Sequence, residues 1–203
     1  MQKVIVYIDG FNLYFGIRQI KRKDLYWLDP FRLSENLIRD DQELAKVKYF
    51  TSRITFPQDK AARQNVFIEA IQNGGKVEIF FGKYQSSSSI CNSCGKVLYK
   101  MNEKKTDVNI AVEILSDAME NLFDTALLIT GDSDLSGAVQ KVINKFPDKR
   151  VISVFPPQRV SQELMSVSSA YFNISKNLLR KSQLPETVIK PDGYKLIRPA
   201  YWK

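Results

Sequence analysis

Residues 126–134 read Ala-Leu-Leu-Ile-Thr-Gly-Asp-Ser-Asp. Four apolar residues run into Thr130-Gly131, and two aspartates, Asp132 and Asp134, follow one residue apart. A short, uninterrupted apolar run is the pattern of a strand buried on both faces of a parallel sheet. Gly131 ends the run, so both acids emerge at the strand's carboxyl end, where open α/β sheets place their ligands. Carboxylates held that close repel each other unless a cation, a proton or a basic group lies between them.

The same grammar recurs at the start of the chain. Residues 3–8, Lys-Val-Ile-Val-Tyr-Ile, predict a first buried strand, closed by Asp9-Gly10. Asn12 lies three residues on, within reach of the same spot. Further strands are expected over 47–54, 77–81, 150–155 and 171–174. Helices are expected from residue 11 and over 31–40, 59–73, 107–122, 135–146 and 160–170. In the fourth of these, Val108, Ala111, Val112, Leu115, Met119 and Leu122 form one apolar face. Thr106 is its expected N-cap, and Asp107 falls in its first turn, where the helix dipole favours a negative charge. Strands alternating with helices predict an α/β fold, a mostly parallel central sheet with helices on both faces.

The chain has 203 residues, which suits one such domain, here 1–175. Residues 83–105 interrupt it with four serines, Ser86 to Ser89, two cysteines and a lysine-rich stretch of net charge +4. They predict a loop or small hairpin. Residues 176–203 form a basic tail of net charge +5 with Tyr194, Tyr201 and Trp202 interleaved. Such a tail either stacks bases and binds phosphates or packs its rings on the domain. The whole chain carries +8, which fits a polyanionic partner or simply a soluble basic protein. There is no histidine. That excludes histidine acid–base chemistry, the Ser-His-Asp triad and histidine metal sites. No apolar run approaches the roughly 20 residues of a membrane span. The N-terminus lacks a signal-peptide pattern, so a cytoplasmic protein with no membrane partner is expected.

Asp9, Asp107, Asp132 and Asp134 are thus all expected at one edge of the sheet. Singly, each reads as a cap or a first-turn residue. Together, in a chain without histidine, they are better explained by a hard divalent cation such as Mg²⁺, which takes oxygen ligands and keeps several waters. A cation so held suits phosphoryl chemistry, activating a water for in-line displacement at phosphorus.

Three blocks carry a family resemblance: Val-Tyr-Ile-Asp9-Gly-Phe-Asn12-Leu-Tyr, Lys-Lys-Thr-Asp107-Val-Asn-Ile-Ala-Val-Glu113-Ile-Leu, and Asp124-Thr-Ala-Leu-Leu-Ile-Thr-Gly-Asp132-Ser-Asp134-Leu. In this order they resemble the NYN domain of the PIN-like nuclease superfamily, in its LabA-like branch, over residues 3–155. The resemblance implies a Rossmann-like PIN fold and a Mg²⁺- or Mn²⁺-dependent ribonuclease acting on RNA. It assigns the metal to Asp9, Asp107, Asp132 and Asp134, and matches Asn12 to the polar residue after the first acid. Glu113 stands where many relatives have aspartate and is a secondary candidate. Six residues separate it from Asp107, nearly two helical turns, so both reach one pocket only if that pocket is elongated.

Cys91-Asn-Ser-Cys94-Gly is half of a zinc knuckle. A structural Zn²⁺ needs four ligands. The pair is therefore a zinc site shared across a homodimer, a redox pair, or a turn with two free thiols. Three functions remain open on these residues. A ribonuclease cleaves RNA when the metal is present, with Asn12 and Ser133 positioning ligands or waters. A catalytically silent RNA-binding or regulatory module binds RNA and turns nothing over. A small-molecule phosphoryl hydrolase acts on phosphomonoesters, although its aspartate pair usually follows the first strand rather than a later one.

Overall fold

The computed structural model describes residues 1–90, 94–95 and 97–203. Among the described residues, ten strands run in chain order: β1 Gln2–Asp9, β2 Gln42–Thr51, β3 Glu78–Phe81, β4 Lys83–Ile90, β5 Val97–Lys104, β6 Thr125–Ile129, β7 Arg150–Phe155, β8 Ala170–Asn173, β9 Thr187–Ile189 and β10 Lys195–Ile197. The helices are α1 Gly10–Gln19, α2 Pro30–Glu35, α3 Gln58–Gln72, α4 Thr106–Met119, α5 Ser136–Lys145, α6 Gln162–Val167 and α7 Lys176–Lys181. Six strands form one sheet in the order β3-β2-β1-β6-β7-β8. Every neighbouring pair in it is parallel. The antiparallel pairing lies outside, in the β4–β5 hairpin of the insertion and the β9–β10 hairpin near the C-terminus.

The apolar runs are uninterrupted because both faces of the sheet are covered. In β1, Val4, Val6 and Ile8 join the core shared with Leu13 and Ile17 of α1, Leu33 of α2 and Ile71 of α3. Ile5 and Tyr7 point the other way, to Ile110 and Ile114 of α4, Val139 of α5 and Leu164 of α6. Helices thus lie on both faces of a parallel α/β sheet, as the PIN-like resemblance implies.

The strand order decides where a ligand can sit. From β1 the chain builds outward through β2 and β3, then returns to place β6 on the other side of β1. The crevice outside the carboxyl ends of β1 and β6 is the topological switch point.

Three expectations needed correction. The 31–40 helix stops at Glu35: Asn36 caps it and donates its side-chain amide to Ser182 Oγ at 3.0 Å. The second strand begins at Gln42, five residues early, because its first half is partly exposed and mixed in polarity. Thr106 is not the cap of α4 but its first residue. The cap is Lys105, at φ 77° and with no side-chain cap hydrogen bond, while the Thr106 side chain is buried. The 176–203 segment packs on the domain, with Leu179, Val188, Leu196 and Trp202 joining the α1–α3 core.

Candidate metal-assisted site

Asp9 ends β1 and caps α1. Its Oδ1 accepts from the Asn12 backbone N–H at 2.9 Å, and its Oδ2 from Thr130 Oγ1 at 3.0 Å. The side chain is held by both strands of the switch point and is almost fully buried. Asn12 completes the link, its Oδ1 accepting from the Gly131 N–H at 2.9 Å. Thr130 Oγ1 also accepts from the Asp132 N–H at 3.1 Å, and Asp132 Oδ1 caps the next turn by accepting from the Asp134 N–H at 3.1 Å. The loop after β6 is therefore fixed to α1 by side-chain bonds, and its acids are oriented before any ligand arrives.

Asp9, Asn12, Asp107 and Asp132 line one pocket of about 180 Å³, with Phe11, Phe15, Thr106 and Arg159 completing it. Asp107 enters from the first turn of α4. Burial, and then the charges of Asp132 and Asp134, push its carboxyl above the ordinary carboxylate range. Asp134 is exposed and outside the lining residues, so it acts on the pocket through its field. Glu113 is also outside the lining. Its carboxylate accepts from Lys48 Nζ at 2.6 Å. Among the described residues, no three acidic or thiol groups stand close enough to ligate one metal ion together, so Asp9, Asp107 and Asp132 share a pocket without a ready-made coordination shell. Cys94 is exposed with a free thiol, whereas Cys91 lies outside the described residues, and the shared-zinc reading with it.

Arg159 is the pocket residue the sequence did not announce. It sits in the loop after β7, in Pro-Pro-Gln-Arg, with no local pattern to mark it. Its Nε is buried without a hydrogen-bond partner among the described residues. Its guanidinium carbon is 5.8 Å from the Phe15 ring centroid. Gly131 allows this approach, since a Cβ there would stand 2.6 Å from the Arg159 carbonyl oxygen. Arg159 thus lines the same small pocket as Asp9, Asp107 and Asp132. Phe11 and Phe15 also line a neighbouring, larger cleft of about 740 Å³.

The family model for the NYN domain matches residues 3–175. The chain belongs to the NYN domain family. NYN and PIN-like domains are commonly nucleases that use divalent metals and bind RNA. A curated relative, 6-hydroxy-3-succinoylpyridine 3-monooxygenase HspA of Pseudomonas putida, is 25% identical, the match covering 97% of this chain and 74% of the relative. A crystal structure of a protein of unknown function from Vibrio parahaemolyticus shares the fold, with a TM-score of 0.59 and 17% identity over 90% of this chain and 96% of that one. Among the described residues, no helix of this NYN protein is long and apolar enough to cross a membrane.

Proposed function

We propose that this NYN protein, of the LabA-like branch, is a divalent-metal-dependent ribonuclease that hydrolyses RNA phosphodiester bonds at the Asp9–Asp107–Asp132 pocket. One observation carries the reading: three carboxylates from β1, α4 and the loop after β6 line one small pocket at the switch point, together with an arginine. The donor set fits a hard cation, because all its groups are carboxylate, amide or hydroxyl oxygens. The upward push on Asp107 from its acidic neighbours is the repulsion a cation relieves. Asp9, Asp107 and Asp132 would hold Mg²⁺ or Mn²⁺ through few direct bonds and several waters, with Asp134 in outer support. Bound there, the ion supplies Lewis-acid activation of water and of the phosphoryl oxygen.

The chain's own groups do the rest. Asn12 and Thr130 fix the Asp9 carboxylate, so it does not reorganise as charge moves. Arg159 binds a non-bridging phosphate oxygen and gains strength as negative charge builds there. Phe11 and Phe15 shield the pocket from water, which strengthens both interactions. Glu113, committed to Lys48, is assigned no metal role.

Single-stranded and structured RNA and DNA should be incubated with Mn²⁺, Mg²⁺ or chelator, beside the Asp132→Asn variant. RNA cleavage that needs the metal and disappears in a folded Asp132→Asn is the expected result. Equal cleavage by both preparations would sink the assignment. Binding without turnover under any metal identifies the silent RNA-binding module, and turnover of a generic phosphomonoester alone identifies a small-molecule hydrolase.

A second reading is favoured by the curated relative, whose match spans nearly all of this chain. An aromatic-lined cleft of about 740 Å³ would accommodate a flat aromatic acid. On that reading one atom of dioxygen enters the ring and the other leaves as water, with two electrons from an added reductant such as a nicotinamide cofactor. Reductant consumption dependent on a pyridine substrate, without RNA cleavage, would select it.

A further inference from the structure

The larger cleft is lined by basic and aromatic side chains together. Its walls come from α1, the turn after it, the segment following β2, α3 and the last residues of the chain. Among the described residues, five cations line it, Arg18, Lys21, Lys23, Lys60 and Arg63, and no carboxylate does. Asp59 pairs with Arg63 at 2.8 Å from outside the lining. Eight of the lining side chains are aromatic.

The rings divide into two roles. Trp202 is 7% exposed and packs at 6.0 Å from Tyr26 and 6.1 Å from Trp27, so it is part of the wall. Tyr201 carries Lys23 Nζ 3.9 Å and the Arg63 guanidinium carbon 4.7 Å from its ring centroid, so it aligns two cations along one side. Phe56, by contrast, is 70% exposed at the rim, an apolar ring that the fold leaves in water. Tyr14 is 37% exposed. On α1, Phe11, Tyr14, Phe15 and Arg18 follow helical spacing along one side, while Leu13 and Ile17 go to the core.

We propose that this cleft binds the unpaired bases and phosphates of single-stranded RNA and leads the strand into the acid pocket through the shared Phe11–Phe15 wall. The inference rests on reading the acid pocket as a phosphodiester site. Charge complementarity selects the ligand. A flat monoanion needs one of the five cations, whereas successive backbone phosphates use several. Exposed rings beside them offer faces to bases of any identity. A duplex keeps its bases stacked inside and cannot present them to Phe56 or Tyr14, so single strands are preferred.

The test is equilibrium binding in EDTA, which stops metal-dependent cleavage. A fluorescent mixed-sequence RNA is titrated with the full-length protein, as a single strand and annealed to its complement. Phe56→Ala, an exposed-site variant whose fold is checked by circular dichroism, should weaken single-strand binding about tenfold or more. Phe56→Tyr should restore it. Arg18→Ala and Lys60→Ala should each lower the salt dependence of log K by about 0.7. Duplex should bind more weakly, and Asp132→Asn should bind the single strand at least as well as wild type.

Wild-type binding by Phe56→Ala and Lys60→Ala, or equal affinity for duplex and single strand, would overturn the proposal. If the wild type cleaves RNA while these variants bind normally, the cleft assignment alone fails. Where the cleft variants lose binding and no preparation cleaves RNA, the cleft assignment stands and the nuclease reading fails. Tight binding of pyridine-3-carboxylate with no RNA binding would give the cleft to a small aromatic acid and overturn the proposal.

Discussion

Asp107 and Asp117 lie on one helix, α4, and meet opposite surroundings. Asp117 accepts from Tyr7 Oη at 2.5 Å and from Lys48 Nζ at 2.9 Å, and Lys48 also reaches Glu113 at 2.6 Å. Burial works against the Lys48 charge, but the hydrogen bonds it donates to Asp117 and Glu113 prevail and hold its pKa above the ordinary lysine value. Tyr7, driven by burial and then by Asp117, keeps its proton far above the usual range. At the other end of α4, the charges that act on Asp107 are those of Asp132 and Asp134, and they push the same way as its burial. One acidic cluster has a cation supplied by the chain, from β2. The other has Arg159 among its lining residues, yet burial and then Asp132 and Asp134 still push Asp107 up. The difference teaches why Glu113 is a poor metal candidate despite its motif position, and why an external cation suits the Asp107 pocket.

The comparison breaks first at Lys48. Lys48→Met leaves Asp117 and Glu113 without their cation, and the expected loss is about 3–5 kcal/mol of folding stability, read by urea denaturation. Adding Asp117→Leu together with Tyr7→Phe should return most of it, since a buried polar set replaced by apolar groups is often neutral, whereas Asp117→Leu alone strands the Tyr7 hydroxyl. A single variant as stable as wild type would mean that the pair does not hold α4 to the sheet. Arg159→Ala sharpens the other side. Cleavage should fall roughly 10²–10³-fold in kcat, with stability kept and part of the rate restored by Arg159→Lys. A loss confined to KM would assign Arg159 to binding rather than to the developing charge. Gly131→Ala acts between these sites. The added methyl meets the Arg159 backbone, so a cost of about 1–3 kcal/mol is expected, with activity lowered as the arginine is displaced. The smallest effect is with pH. A raised lysine pKa contributes stability that is full below the unfolded value and lost as pH rises through the folded one. Thermal melts should therefore fall above the ordinary lysine range in wild type and lose that component in Lys48→Met.

The sheet was legible because burial on both faces leaves apolar runs in β1, β6 and β7, and because Asp9-Gly10 and Gly131-Asp132 mark their carboxyl ends. The second strand was harder to bound. The expected 47–54 strand missed its first five residues, and nothing local marks Lys48 as buried: it lies under α4 because two carboxylates one turn apart receive it. Three of the acids could be placed from their position after strands or at a helix start. Arg159 could not, since a loop residue enters the pocket only by tertiary approach over Gly131. The cleft was illegible for the same reason: it joins segments near residues 11–26, 54–67 and 201–202. In the tail, Trp202 follows the packing reading, while Tyr201 stays 55% exposed and lines the cleft.

The most direct measurement is calorimetric titration of Mn²⁺ into wild type, Asp132→Asn and Glu113→Gln. Wild type and Glu113→Gln should show the same saturable binding, and Asp132→Asn should lose it. Binding that survives Asp132→Asn and is lost with Glu113→Gln would contradict the assignment of the cation to the Asp9–Asp107–Asp132 pocket, as would a wild type that binds no Mn²⁺.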